Sequence, residues 1–299
     1  MKRYGLPYMG SKNKIADWVL SYMPKAENFY DLFCGGCAVT HCAIEKKRFK
    51  NYYINDIKGE MPQGFVDCIN GKYHNDTRWI SHEDFDRLKG KGDLLVDICF
   101  SFGNNWRKGY AYSKEIESYK KALHYAVVFR DYSLIEQQID VDLSQIDLIE
   151  DKYKRYDYCK TLIGDNLNIG GGVESIERLE RLQSLERLQS KGCIVPSSLS
   201  YDEVEIKPNS VIYCDIPYRA TAKYNEVEFD YDTFYDWCLK QTQPLFISEY
   251  DMPESDFICI GAKVKTCQLC ATNNSLKSIE RLFIPKHQEK NKPLTLFDF

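Results

Sequence analysis

At 299 residues with 43% hydrophobic and 28% charged side chains, the chain has the length and composition of a soluble globular protein, as one large domain or one domain carrying an insertion. A formal net charge of −4 argues against a general nucleic-acid coat but leaves room for a DNA enzyme with a local basic face. No apolar run approaches the ~20 residues of a bilayer span, and Met1-Lys2-Arg3-Tyr4-Gly5 lacks a signal-peptide core, so a cytoplasmic protein without a membrane partner is expected.

In chain order, Ile15–Met23 has helical periodicity, Phe29–Phe33 reads as a strand, Ala38–Lys47 as a helix, and Tyr52–Asp56 as a second strand ending in an acid. Strand–helix–strand with short connections predicts a parallel α/β sheet. From about Lys58 to Lys191 that rhythm is lost. Charged and aromatic residues dominate, a helix over Lys114–Phe129 is expected, and the block reads as an inserted domain. Near its end, Leu179-Glu180-Arg181-Leu182-Gln183-Ser184 is repeated directly as residues 185–190. Leucines every third residue drift around an α-helix and define no stable apolar face, and two units are too few for a solenoid. The α/β style then returns, with strands at Val211–Cys214 and Leu245–Ser248, a helix over Asp232–Gln241, and a terminal antiparallel pair of Phe257–Thr266 with Arg281–Ile284. Candidate basic clusters are Lys12/Lys14, Arg107/Lys108 and Lys152/Lys154/Arg155, whereas Lys120/Lys121 reads as ordinary solvated surface.

Two strand ends carry chemistry. Asp31-Leu32-Phe33-Cys34-Gly35-Gly36-Cys37-Ala38 puts glycines between a strand and a helix, where the backbone can approach a ligand and aim N–H groups at it. Asp56 follows at the end of the next strand, placed to bind the hydroxyls of a ribose, which points to an adenosine-containing cofactor. The G-x-G-x-x-G spacing of a dinucleotide site is absent, which disfavours NAD. Asp215-Ile216-Pro217-Tyr218 closes the apolar run Ser210–Cys214. A carboxylate, the Ile216 carbonyl and an aromatic ring can together grip a planar amine, as needed to methylate a base taken out of its stack. The same four residues also suit a plain strand-ending turn. Two C-x-x-C pairs, Cys34/Cys37 and Cys267/Cys270, raise redox and zinc alternatives. The chain is too long for a thioredoxin and the pairs lie far apart, so no metal is expected, and the twelve cysteines read as reduced, mostly buried thiols.

Taken together these motifs resemble the Dam-like α-group of DNA N6-adenine methyltransferases. Tyr8-Met9-Gly10-Ser11-Lys12 is similar to that family's N-terminal cofactor motif, Asp31 to Gly35 to its cofactor turn, and Asn55-Asp56 to its ribose-binding acid. Asp215-Ile216-Pro217-Tyr218 is similar to its catalytic Asp-Pro-Pro-Tyr, and Phe246-Ile247-Ser248-Glu249-Tyr250 to the strand that follows. The resemblance implies a Rossmann-like S-adenosylmethionine-dependent methyltransferase fold in residues 1–58 and 193–299. It makes 59–192 an inserted, mostly helical target-recognition domain.

It further implies methyl transfer to adenine N6 in double-stranded DNA, in a prokaryotic cell or a phage-infected host. Asp215, Ile216, Pro217 and Tyr218 are the implied catalytic residues. Tyr8, Lys12, Asp31, Phe33, Gly35, Asp56, Tyr201 and Asp215 are the implied cofactor-binding residues. Asn104, Asn105, Arg107, Lys108 and Tyr110 are the implied DNA contacts. The alternatives are a methyltransferase acting on RNA or a protein glutamine, and a DNA-binding relative without activity. Two departures stand out: Ile216 replaces the first proline of the catalytic motif, and Cys37 stands where the family has a second glycine.

Overall fold

The computed structural model describes residues 3–8, 10–102, 109–137, 142, 144–167, 174–219, 229–267 and 276–291. The chain divides into two compact units, residues 1–6, 10–66 and 187–299 in the first, and residues 7–9 and 67–186 in the second.

The first unit is built on a seven-stranded sheet of β1 (Asn28–Asp31), β2 (Asn51–Asn55), β3 (Cys193–Ser197), β4 (Ser210–Asp215), β5 (Leu245–Glu249), β6 (Phe257–Cys267) and β7 (Leu276–Pro285). Their order across the sheet is β3-β2-β1-β4-β5-β7-β6, with β7 antiparallel to both neighbours and the other pairs parallel. β1 and β5 are buried at every position, the signature of central strands covered on both faces. β3 is one of the two edge strands, exposed or half-buried at every position and carrying Pro196, a residue that edge strands tolerate because it donates no ladder hydrogen bond. β1 continues outward through β2 on one side and meets β4 on the other, so the order reverses between them. Open α/β sheets bind ligands at the carboxyl ends of their strands beside such a reversal.

Helices α1 (Ala16–Ser21), α2 (Ala38–Glu45) and α10 (Tyr231–Leu239) belong to this unit. α2 buries Ala38 to Ile44 without interruption, so the glycine turn before it is held by a helix with little freedom to shift. α10 starts where the Asp230 side chain accepts the Thr233 N–H at 3.0 Å. It lays Phe234, Tyr235 and Cys238 in one core cluster with Tyr30, Leu32, Ile212, Cys214, Leu245 and Ile247 of the strands. Ile216, just after β4, is 2% exposed in that cluster, which explains an apolar residue at this position.

The second unit is helical among its described residues: α4 (His82–Leu88), α5 (Lys114–Phe129), α6 (Ser133–Glu136), α7 (Ser144–Asp147), α8 (Lys152–Leu167), α9 (Glu174–Gln183) and a π-helical turn at Leu95–Cys99. α3 (Glu60–Ile69) begins in the first unit and ends in the second. The Arg178 guanidinium donates to the carbonyls of Ile98 (3.2 Å), Cys99 (3.2 Å) and Ser101 (2.5 Å), satisfying oxygens that a helix end leaves without partners.

Several sequence expectations are corrected here. Lys120 is 3% exposed, not solvated: its stem packs in α5 and its ammonium sits 5.8 Å from the Tyr112 ring centroid. Arg155 leaves the candidate basic cluster too. It is 5% exposed and donates to the carbonyls of Val127, Ile149 and Glu150, so it is spent on backbone inside the unit. The leucine repeat defines one buried face after all: Leu179, Leu182, Leu185 and Leu188 are each at most 2% exposed. The chain passes from α-helix to a 3₁₀ turn at Ser184–Leu188, and with three residues per turn a period of three stacks on one side.

Candidate active site at the carboxyl ends of the central strands

Acids end three adjacent strands. Asp31 closes β1, Asp56 follows Asn55 at the end of β2, and Asp215 closes β4. Asn55 ties the region together. Its side-chain N–H groups donate to the carbonyls of Leu32 (3.1 Å) and Leu199 (3.0 Å), and its oxygen accepts from the Ser197 hydroxyl (2.8 Å) and the Leu199 N–H (3.0 Å).

Asp31 is 2% exposed and accepts the Thr40 hydroxyl of α2 at 2.6 Å. Burial pushes its carboxyl up to about 7, with the charges of Asp215 and Asp56 adding to the rise and the Thr40 bond opposing it. The folded protein therefore holds a proton here that the unfolded chain releases near pH 4. Stability from this group is fully present below that unfolded value and is lost as pH rises through about 7. At ~1.4 kcal/mol per unit the effect is at most on the order of 4 kcal/mol. Asp31→Asn is expected to flatten the fall in melting temperature between pH 5 and pH 8, measured by calorimetry. An undiminished fall in the variant would assign it elsewhere, with Glu249 the first suspect.

The glycine turn follows β1. Gly35, at φ 44, donates its N–H to Asp56 Oδ2 at 2.9 Å, and the Lys58 N–H donates to Oδ1 at 3.0 Å. A carboxylate has about four acceptor positions. Two are used here, and both strand and turn orient the remainder. Cys37 caps α2 in the left-handed conformation (φ 55), so the position that favours glycine is occupied by cysteine with the same backbone shape. The N-terminal segment is pressed against this turn: Leu6 N–H donates to the Gly36 carbonyl at 2.7 Å, and a Cβ on Gly5 would lie 2.2 Å from that oxygen. Phe33 stacks on Tyr201 at 5.6 Å, and both rings pack on Phe229 and Phe234.

The Cys34 and Cys37 sulfurs are 3.4 Å apart, and burial pushes both thiols above their ordinary values. A redox pair needs the reverse, an acidic and accessible thiolate, so that alternative is set aside. Among the described residues no group of three or more His, Cys, Asp or Glu side chains is arranged to hold a metal. Cys270 lies outside them.

At the end of β4 a buried charge cluster surrounds Asp215-Ile216-Pro217-Tyr218. Lys12, on a short 3₁₀ turn (Lys12–Lys14) capped by Ser11, is 6% exposed. Its ammonium lies 2.8 Å from Asp215 Oδ1, 3.9 Å from Glu280 Oε2 and 4.6 Å from the Tyr218 ring centroid. Burial alone would lower this ammonium's pKa, but the two carboxylates outweigh it and raise it above its ordinary value. Tyr218 is 9% exposed, donates its hydroxyl to Glu280 Oε2 at 2.6 Å, and meets the Tyr250 ring edge-on at 4.5 Å. The Pro217 carbonyl accepts the Tyr231 hydroxyl at 2.8 Å. Beside the motif, Arg219, Tyr235, Glu249 and Tyr250 line a cleft of about 490 Å³. Glu249 is 1% exposed, and burial pushes its carboxyl up to about 7.

The family model for D12 class N6 adenine-specific DNA methyltransferases matches residues 8–157. The chain belongs to that family. It is an enzyme that transfers a methyl group to the N6 amino group of adenine in DNA, on a Rossmann-like sheet. No curated protein matches the chain. No helix among the described residues is long and apolar enough to cross a membrane.

In this methyltransferase Lys12 and Asp215, both among the anticipated cofactor-binding residues, are an ion pair. Tyr8 falls in the second unit. Asn104, Asn105, Arg107 and Lys108 lie outside the described residues. Tyr110 is 8% exposed, gives its hydroxyl to the Ile80 carbonyl at 2.6 Å and packs on Phe85. Its hydroxyl and its packing are committed within its own unit.

Sequence reasoning missed Thr40 and Glu280. For Glu280 a signal existed: residues 280, 282 and 284 share one face of β7, and Leu282 and Ile284 are buried, so strand periodicity turns an acid into the core.

Proposed function

We propose that this methyltransferase takes its methyl group from S-adenosylmethionine and delivers it to adenine turned out of double-stranded DNA. The observation carrying the cofactor assignment is the Asp56 carboxylate, held by two backbone N–H groups with acceptor positions left over, at the end of the strand next to the glycine turn. Vicinal ribose hydroxyls suit that donor–acceptor balance, so the residues present fit the group. Phe33 and Tyr201 would border its adenine, Asp31 would hold the turn through α2, and Lys12 would lie toward its amino-acid end.

When bound, S-adenosylmethionine supplies an activated sulfonium methyl, so the protein's task is positioning and electrostatics. Adenine N6 is a poor nucleophile because its lone pair is delocalised into the ring. Asp215 and the Ile216 carbonyl accept the two N6 hydrogens and favour a more tetrahedral amine, with Pro217 stiffening the loop. Asp215 already binds an N–H donor, the Lys12 ammonium at 2.8 Å, and the same oxygen chemistry suits the N–H groups of an amine. Tyr218 stacks on the extruded base, and the cost of unstacking is offset by these pocket contacts. The insertion from residue 59 to 192 would read the duplex, with Asn104 and Asn105 on base edges and Arg107 and Lys108 on phosphates.

The test is methyl transfer from labelled S-adenosylmethionine to duplex DNA, followed by nucleoside analysis. N6-methyladenine formed with duplex and lost with any unlabelled competitor for the cofactor supports the reading. Labelled 5-methylcytosine, or label entering RNA or protein but not DNA, would overturn it.

A further inference from the structure

We propose that Glu280 is a positioning residue of the base pocket. It fixes the Tyr218 ring through its hydroxyl and takes over the Lys12 ammonium when Asp215 turns to the adenine amine. This rests on the roles given above to Asp215 and Tyr218.

Glu280 lies on β7 opposite Lys263 of β6, one residue before Arg281, which pairs with Glu249 of β5. Its backbone is thus held by a sheet, whereas Tyr218 sits on the loop that leaves β4. A ring that stacks on a base needs its plane fixed before the base arrives. Tyr218 is gripped at two places, by the edge-on Tyr250 ring at 4.5 Å and by Glu280 Oε2, which accepts its hydroxyl at 2.6 Å. With Glu280 only 2% exposed, this is a charge-assisted bond in a low-dielectric setting, among the stronger kinds.

The same oxygen is 3.9 Å from the Lys12 ammonium, which is 2.8 Å from Asp215 Oδ1 and lies over the Tyr218 ring. One ammonium therefore engages both groups assigned to the base, the carboxylate and the ring face. It has to withdraw when the adenine enters, and a buried cation cannot be left without a counter-charge. Glu280 is the neighbouring carboxylate, about one ångström farther away, and a small swing of the lysine side chain reaches it. The hydroxyl bond and the counter-charge thus converge on one side chain.

The experiment uses the full chain with Glu280→Ala, Glu280→Gln, Tyr218→Phe and the Glu280→Ala/Tyr218→Phe double variant. It measures kcat and KM on unmethylated genomic duplex, cofactor affinity by calorimetry, and fluorescence of 2-aminopurine placed at an adenine the wild type methylates. Glu280→Ala and Tyr218→Phe are each expected to raise KM for DNA about tenfold and to blunt the fluorescence rise, with cofactor affinity within twofold of wild type. The double variant should capture the base no worse than Glu280→Ala alone, since both remove one bond. Glu280→Gln keeps an acceptor for the hydroxyl and should keep base capture while lowering kcat, because its neutral amide cannot hold Lys12. Additive losses in the double variant, or normal base capture in Glu280→Ala, would overturn the Tyr218 role, and an unchanged kcat in Glu280→Gln would overturn the Lys12 role. Should Glu280→Ala fail to fold, Tyr218→Phe with normal base capture is the overturning result. Full turnover in Asp215→Ala would instead show that the underlying site reading had failed.

Discussion

Replacing Asp215 by alanine is expected to slow methyl transfer to DNA by about a hundredfold or more, while the protein stays folded and binds cofactor. On the proposed reading the carboxylate is the main acceptor for the N6 hydrogens, and a hydrogen bond that strengthens as charge develops is worth ~3 kcal/mol in such sites. The structure adds a second consequence. Lys12 loses its nearest carboxylate and keeps Glu280, so its ammonium is less strongly held in the charged form. Asp215→Asn retains an oxygen acceptor and should keep more activity than alanine, although its neutral side chain cannot balance Lys12. Single-turnover transfer rates, read beside thermal unfolding curves, check both statements. A variant that unfolds normally and transfers methyl groups at the wild-type rate would remove Asp215 from the chemistry.

The second large effect is at Asp56. Asp56→Ala is expected to weaken S-adenosylmethionine binding by at least about a hundredfold. On the proposed reading it would remove two hydrogen bonds to the ribose, each charge-assisted and worth ~1.5–3 kcal/mol. It also leaves the N–H groups of Gly35 and Lys58 without the oxygens that now orient them, so the turn loses its shape along with its acceptor. Calorimetric titration is the direct measurement. Affinity within a few-fold of wild type would mean that the cofactor does not lie over the end of β2. Asp56→Asn, which keeps one acceptor, is expected to fall between the two.

The central sheet was legible because β4 and β5 carry short apolar runs, Val211–Cys214 and Leu245–Ile247, and β1 holds Phe29 and Tyr30 just before its acid, the pattern of strands covered on both faces. Strand β3 was not, since an edge strand buries little and Cys193-Ile194-Val195-Pro196-Ser197 has no alternation to betray it. The acids at the strand ends were visible from their positions after apolar runs. Their partners were not: Thr40 lies 9 residues from Asp31, on the helix after the glycine turn, and Glu280 lies 62 residues from Tyr218, brought near it by the sheet order. The buried Lys120 and Arg155 mislead for a related reason. A charged head is written the same way in sequence whether it meets water or a ring and three carbonyls. The leucine repeat failed differently, because its period was measured against an α-helix when half of it forms the tighter 3₁₀ coil.

The reversal of strand order between β1 and β4 has a consequence for how the enzyme comes into being. Asn28 pairs with Ser210, so the groove between these strands is closed by a segment synthesised long after β1 and β2 have left the ribosome. Joining ends so distant in the chain costs loop entropy that only the finished sheet repays, and contacts of this range form slowly. A nascent chain carrying Asp31, Asp56 and the insertion thus lacks Asp215 and its neighbours. On the proposed reading, methylating competence waits for β4, which carries Asp215, and then for β7, which carries Glu280.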